Sequence, residues 1–223
     1  VDADARAEFL AGCPLLRGVP PADLLRLAEA AQLRRYRRGQ LLFSEGDAGD
    51  SLLVVVSGSL KAFSPNAEGG ELLLTVIERY QSVGELSVVD GGARSASVSA
   101  LSDATVLRVP RETILAVAAH STALSRALLD ALASLIRRLT GSAADLAFLD
   151  IPRRVAKFVL TRVNGEGRPA ARLTQADMAA AIGASRQSLN AALQDFQRRG
   201  WITVRPGEIE LRDAEALRRF VGG

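Results

Sequence analysis

Apolar residues recur along this chain with two different periods, and the change of period divides it. Between residues 33 and 110 they come in short blocks: Gln40–Ser44 (QLLFS), Ser51–Ser57 (SLLVVVS), Ser59–Ser64 (SLKAFS), Glu71–Glu78 (ELLLTVIE), Ala96–Leu101 (ASVSAL) and Thr105–Val109 (TVLRV). Turn-forming clusters separate them, at Glu45–Asp50, Ser57-Gly58-Ser59, Ser64-Pro65-Asn66, Glu68-Gly69-Gly70 and Asp90-Gly91-Gly92. Short strands with Gly-rich punctuation predict a β-barrel or sandwich. Ahead of them, Pro21–Ala31 (PADLLRLAEAA) predicts a short helix.

From Pro110 the period becomes helical. Arg111–Ala118 predicts one helix and Ser121–Leu149 a second, longer one. On the longer helix Leu128, Leu132, Leu135, Leu139, Ser142, Leu146 and Leu149 follow one another in steps of 4 and 3. Such a seam predicts packing against a second, parallel helix. Burial against its own barrel is the alternative, but a helix of about 29 residues is roughly 43 Å long, more than one small domain covers. Leu129 and Ile136 lie off this seam and can face the barrel. Pro152 interrupts the pattern and marks a hinge or boundary after Asp150.

Beyond it, 153–163 (RRVAKFVLTRV) predicts an amphipathic helix, and Asn164–Pro169 a loop. Thr174 and Asp177 have the spacing of a capping box, so a helix runs Gln175 to Ala181. Gly183 punctuates it, Ser185 is the next N-cap, and a second helix runs from Arg186 to about Arg199 before Gly200. Two short helices across a Gly turn predict a helix-turn-helix, with Met178, Ala179, Ile182, Leu189, Leu193 and Phe196 as its core. Ser185, Arg186, Gln187 and Asn190 then stand at the open end of the second helix. Arg pairs with guanine and Gln or Asn with adenine, so these residues, with Thr174, are the candidate DNA contacts. Trp201–Val204 and Glu208–Leu211 read as a two-stranded wing turning at Arg205-Pro206-Gly207.

Charge sharpens this division. Residues 1–150 hold 15 Lys and Arg against 18 Asp and Glu, whereas 151–223 hold 13 against 7. A basic C-terminal third on an acidic body suits a polyanionic partner. No apolar run approaches the roughly 18 residues of a membrane span; the densest, Leu52–Val56, is strand-sized. Acidic residues stand at Asp2 and Asp4, where a signal peptide would be basic, so the expected location is cytoplasmic. Cys13 is the one cysteine and His120 the one histidine, which excludes an internal disulfide, a cysteine-ligated cluster and a multi-histidine metal site. His120 is read as a surface histidine near a helix start rather than a haem ligand. With no catalytic His partner, P-loop or metal cluster, an enzyme is not expected.

The remaining motif is Gly84–Ala96 (GELSVVDGGARSA). Its Gly opens a helical turn whose N–H groups can meet an anion. Glu85 can accept from sugar hydroxyls, and Arg94, beside Ser95, offers a phosphate fork. Taken alone, a Glu and an Arg in a Gly-rich loop equally suit a structural ion pair.

The whole pattern resembles the cyclic-nucleotide-binding transcription regulators of the Crp/Fnr family, over about residues 10–215. The resemblance rests on the cassette GEL…RSA at 84–96, LAFLDIPRR at 146–154 and LTQADMAAAIGASRQSLN at 173–190. It implies an α+β protein: an N-terminal β-roll sensor (1–120), a long dimerisation helix and hinge (121–150), and a C-terminal winged helix-turn-helix (151–223). Gly84, Glu85 and Leu86 would cradle ribose and cyclic phosphate, Arg94 and Ser95 would bind the phosphate, and Arg186 and Gln187 would enter the major groove. The implied effector is a cyclic nucleotide, cyclic AMP first, with no covalent cofactor and no metal. The implied partners are a second copy of the chain, double-stranded DNA carrying an approximate inverted repeat, and RNA polymerase, with no membrane. In cyclic-AMP-responsive members two adjacent hydroxyl residues of the long helix face the adenine. Here those positions are Leu139 and Thr140, so one hydroxyl is kept and one lost. A vestigial cassette, or one holding another ligand such as a cyclic dinucleotide, is the alternative.

Overall fold

The computed structural model describes residues 2–65, 70–162, 173–205 and 208–222. They fall into two units, Val1–Ser64 with Thr75–Arg138, and Pro65–Leu74 with Leu139–Gly223.

The first unit opens with α1 (Ala3–Ala11), a 3-10 turn at Pro14–Leu16 and α2 (Pro21–Ala30). Strands β1 (Gln32–Tyr36), β2 (Leu41–Phe43), β3 (Ser51–Ser57), β4 (Leu60–Pro65), β5 (Glu71–Ile77) and β6 (Ser82–Val83) follow. Then come α3 (Glu85–Asp90), β7 (Ser97–Ala100), β8 (Ala104–Pro110), α4 (Arg111–Ala118) and α5 (Thr122–Phe148). The strands form two four-stranded sheets, ordered β1-β8-β3-β6 and β2-β7-β4-β5. All six anticipated strands are present, each within about two residues of its expected ends.

The run SLLVVVS is continuously apolar because β3 is covered on both faces. Leu52 and Val54 stand opposite Val109 and Leu107 of β8, and these four pack with Leu10, Leu27, Ile114 and Leu124 of the helices. Leu53 and Val55 point the other way, with Ala104 and Val106, into a second cluster with Leu60, Ala62, Val98 and Ala100. Alternation of period two thus serves two cores. Each fully buried Leu or Val contributes about 1.5–3 kcal/mol of transfer free energy.

Some elements were not anticipated. Strand β1 (QLRRY) is exposed at its first four residues, so no hydrophobic alternation announces it. Helix α1 has almost no apolar stripe and buries only Leu10; its signal is the N-cap, where Asp2 accepts from the Ala5 N–H.

The phase of α5 corrects the expected seam. Leu124 and Leu128 are buried in the helix-side core, while Leu129 and Ile136, placed off the seam and free to face the barrel, are 66% and 64% exposed. One residue turns a helix by about 100°, so the two adjacent leucines part company at the core boundary. Leu129, Ile136, Leu139, Ala143 and Leu146 are exposed and Leu132 is half-buried, a stripe still in heptad steps of 3 and 4.

The second unit carries the end of α5, then α6 (Ile151–Arg162), α7 (Gln175–Ile182), α8 (Arg186–Arg198), the antiparallel pair β9 (Ile202–Arg205) and β10 (Glu208–Leu211), and α9 (Ala214–Gly222). Only Leu149 and Asp150 separate α5 from α6, and the Asp150 carboxylate accepts from the Arg153 N–H. Pro152 sits in the first turn of α6, where its missing N–H is not needed. Trp201 falls just before the wing strand rather than in it, packing with Phe196 and Phe220 at ring separations of 5.6 Å. Helix α9 supplies Phe220 and was not anticipated; Asp213 accepts from its Ala216 N–H. The loop expected at Asn164–Pro169, the wing turn at Pro206-Gly207, and Asn66, Glu68 and Gly69 of the turn clusters lie outside the described residues.

Candidate ligand cassette and nucleic-acid interface

The cassette is built where β6 gives way to α3. Gly84 makes the turn at φ 102°, and a Cβ there would lie 2.4 Å from Arg94 Nη1. Glycine serves both needs: the left-handed backbone and room for the guanidinium. Arg94 reaches this spot from a loop whose backbone is tied down, its N–H donating to Asp47 O and its carbonyl accepting from the Gly46 N–H.

The Arg94 side chain is 4% exposed. Its Nη1 donates to Ser87 Oγ at 3.0 Å and its Nη2 to Ser51 Oγ at 3.1 Å. The guanidinium carbon stands 4.2 Å from the centroid of the Phe43 ring, and Nε is buried without a hydrogen-bond partner. The acid beside it is Asp50, 3.7 Å away and also paired with Arg108, rather than Glu85 or Asp90. Burial pulls the Arg94 pKa below its ordinary value, although Asp50 opposes this. For Asp50, burial pushes the carboxyl up, but a hydrogen bond from Ser51 and the charges of Arg108 and Arg94 bring it below the usual range. The result is a desolvated cation held mainly by neutral hydroxyls, an arrangement that favours an incoming anion.

The other cassette residues are placed as follows. Glu85 is half-buried and accepts from Ser82 Oγ at 2.7 Å. Leu86 is half-buried and Ser95 is exposed. Asp90 accepts from the Gly92 N–H. Leu139 is 51% exposed and Thr140 is exposed; both are on α5 and belong to the second unit. Sequence reasoning missed Ser51, Ser87 and Phe43, the immediate neighbours of the guanidinium. Their signal was weak, because Ser51 and Phe43 sit in separate strands and only Ser87 lies inside the motif.

In the second unit the capping box is formed in full. Thr174 Oγ1 accepts from the Asp177 N–H at 3.1 Å, and Asp177 Oδ2 accepts from both the Thr174 N–H and its hydroxyl. Gly183, at φ 62°, ends α7 in the left-handed region, and the Ala184 N–H reaches back to Ala179 O. Ser185 caps α8 by accepting from the Ser188 N–H. Leu189 and Phe196 of α8 are fully buried, and Met178, Ala179 and Ile182 of α7 are at most 8% exposed, so the opposite face of α8 is turned to water. Ser185, Arg186 and Gln187 are exposed there and Asn190 is half-buried. Gln194, four residues past Asn190, is exposed on α8 too. Among the described residues Arg186 has no acidic partner within 4.0 Å, whereas Arg198 and Arg199 are held by Asp195.

Among the described residues, no group of three His, Cys, Asp or Glu could hold a metal ion, and no helix is long and apolar enough to cross a membrane.

Residues 33–121 match the cyclic nucleotide-binding domain family, and residues 153–220 the Crp-like helix-turn-helix domain family. The chain is 35% identical over 219 residues to a CRP-like cAMP-activated global transcriptional regulator of Mycobacterium tuberculosis, covering 95% of this chain and 98% of that one. The chain belongs to the Crp/Fnr family of transcriptional regulators. It joins the two domains of a ligand-responsive, DNA-binding regulator. A cyclic AMP receptor protein of Thermus thermophilus is 29% identical over 212 residues, 95% of this chain and 98% of that one. In three dimensions the Crp/Fnr fold is shared with FixK2 of Bradyrhizobium japonicum, at a TM-score of 0.78 and 19% identity, over 85% of this chain and 96% of that one.

Proposed function

We propose that this Crp/Fnr regulator is gated by a cyclic nucleotide, cyclic AMP first, bound at Gly84, Glu85, Leu86, Arg94 and Ser95. The observation that carries the proposal is Arg94: a buried guanidinium with an unpartnered Nε, set against a glycine that leaves it room. A cyclic phosphodiester supplies one negative charge, which a buried Arg stabilises once both leave water. The N–H groups after Gly84 and the Ser95 hydroxyl complete the anion's shell, and Glu85 accepts from the ribose hydroxyl. Leu139 and Thr140 of α5 are the proposed base contacts.

The chain divides into a sensor (1–120), a dimerisation helix and hinge (121–150) and a DNA-binding domain (151–223). It works as a homodimer through the outward stripe of α5, Leu129 to Leu146, which in a lone chain would stay in water. Two copies related by a twofold axis read an approximate inverted repeat, with half-sites about one helical turn apart. Arg186, Gln187 and Asn190 face base edges, while Thr174 and Ser185, at helix N-termini, face phosphates. RNA polymerase is a further partner, and the protein acts in the cytoplasm.

Calorimetry with cyclic AMP and cyclic GMP, on wild type and Arg94→Leu, tests the gating. The expected result is saturable binding by the wild type and its loss in the variant. A wild type that binds neither nucleotide leaves a vestigial cassette or another ligand, such as a cyclic dinucleotide.

A further inference from the structure

Ser82 is the last polar side chain before the cassette, three residues ahead of Glu85. Its hydroxyl donates to Glu85 Oε1 at 2.7 Å, a short bond to a charged acceptor. A carboxylate accepts at both oxygens, so one is held by Ser82 and the other stays available. A glutamate side chain at a half-buried site otherwise has several rotamers to choose from, and selecting one costs entropy at the moment of binding.

Ser82 is half-buried, and its backbone is held by the neighbouring strand. It pairs in register with Val54 of β3. The turn before it is closed by the Tyr80 N–H on Val55 O and the Val55 N–H on Gln81 O, both at 2.9 Å. Tyr80 takes up a left-handed backbone at φ 69° and stacks on Phe9 of α1 with ring centroids 4.6 Å apart. Cys13 is fully buried with the Ser82 hydroxyl and the Glu85 charge among its neighbours, and burial pushes its thiol pKa up. The thiol therefore stays neutral near pH 7.

We infer that Ser82 is a positioning residue for Glu85, fixing one carboxylate oxygen so that the other meets the ribose 2′-hydroxyl of the cyclic nucleotide. The inference rests on the cyclic-nucleotide reading above and adds to it a residue that sets selectivity for ribose. The bond joins two side chains of the chain's own strand and helix, so the contact is preorganised.

The test is calorimetry on the full chain with cyclic AMP and 2′-deoxy cyclic AMP, for wild type, Ser82→Ala and Ser82→Thr. The deoxy nucleotide keeps the phosphate and the base but removes the group that Glu85 reads. Wild type should prefer cyclic AMP. In Ser82→Ala that preference should fall by roughly tenfold, the scale of one hydrogen bond to a charged group, through weaker cyclic AMP binding alone. Affinity for the deoxy nucleotide should be unchanged, and Ser82→Thr should restore the preference. A Ser82→Ala variant that keeps the full preference, or that loses both affinities in equal proportion, overturns the inference; the second outcome would make Ser82 merely structural. A wild type that binds both nucleotides equally also overturns it, while leaving cyclic-nucleotide gating intact. A wild type that binds neither overturns the gating proposal and this inference with it.

Discussion

Arg94 and Arg186 are both assigned to anionic partners, yet their surroundings are opposites. Arg94 is 4% exposed, its guanidinium shared between two serine hydroxyls, an aromatic ring and one acid. Arg186 stands exposed at the open end of α8, with no acid within 4.0 Å among the described residues. A small ligand must be bound by few contacts, so each must be desolvated and prearranged to be strong. A DNA surface offers many phosphates, so modest exposed contacts suffice and counterion release drives them. The two regions should therefore answer differently to mutation and to salt. DNA affinity should fall steeply as salt rises, and nucleotide affinity only slightly.

The largest effect that would break this comparison is at the cassette. Arg94→Leu should lower cyclic nucleotide affinity by about 2–5 kcal/mol, since truncation leaves a buried anion unpaired. Its weak, ligand-independent DNA binding should persist, because α8 is untouched. Calorimetry and gel shift on the same preparation read both; a variant that keeps its nucleotide affinity removes Arg94 from the anion site.

Next comes the phase of α5. Leu128→Ala should destabilise the first unit by about 2–5 kcal/mol, the usual range for a buried leucine. Leu129→Asp combined with Ile136→Asp should leave the melting temperature of that unit nearly unchanged and yield monomers by light scattering. Monomers from Leu128→Ala, or unfolding from the Asp pair, would restore the phase expected from sequence.

That phase marks where sequence reading ran out. The heptad was legible, because leucines at steps of 3 and 4 need only counting. Which of the adjacent Leu128 and Leu129 faces the sensor core depends on where that core meets the helix, and the spacing of leucines along α5 carries no such information. The helix-turn-helix was legible to within a residue at its ends, because Thr174, Asp177, Gly183 and Ser185 are local signals read by backbone groups. The cassette was half legible. Gly84, Glu85 and Arg94 belong to one short motif, but Ser51 and Phe43 come from strands brought in by the sheets. Strand β1 was missed because its side chains are mostly in water, where no burial pattern is imposed, and α1 because its apolar residues form almost no stripe.

A smaller effect is expected at the DNA interface. Arg186→Ala should cost about 1–3 kcal/mol and relax discrimination at one base position per half-site. Selection from random duplexes reads the change. Uniform weakening across all sequences would make Arg186 a phosphate contact instead.

The smallest concerns Asp50, whose folded pKa is below its ordinary value. A depressed carboxyl contributes stability above its unfolded pKa, about 3.9, and loses it as pH falls through the lower folded value. Its side chain is 63% exposed, so solvent screening keeps the contribution within about 1 kcal/mol. Asp50→Asn should flatten the acid limb of a thermal-denaturation series below about pH 4. An unchanged acid limb would mean that Arg108 and Arg94 do not stabilise the Asp50 charge.

The central claim is that a cyclic nucleotide in the cassette controls DNA binding by α8. Fluorescence anisotropy of a labelled duplex carrying the selected inverted repeat, titrated with the full chain at fixed salt, measures it directly. Binding should be markedly tighter when cyclic AMP is present, with no such gain in Arg94→Leu. Identical DNA affinity with and without cyclic AMP, in a wild type that calorimetry shows to bind the nucleotide, would contradict it.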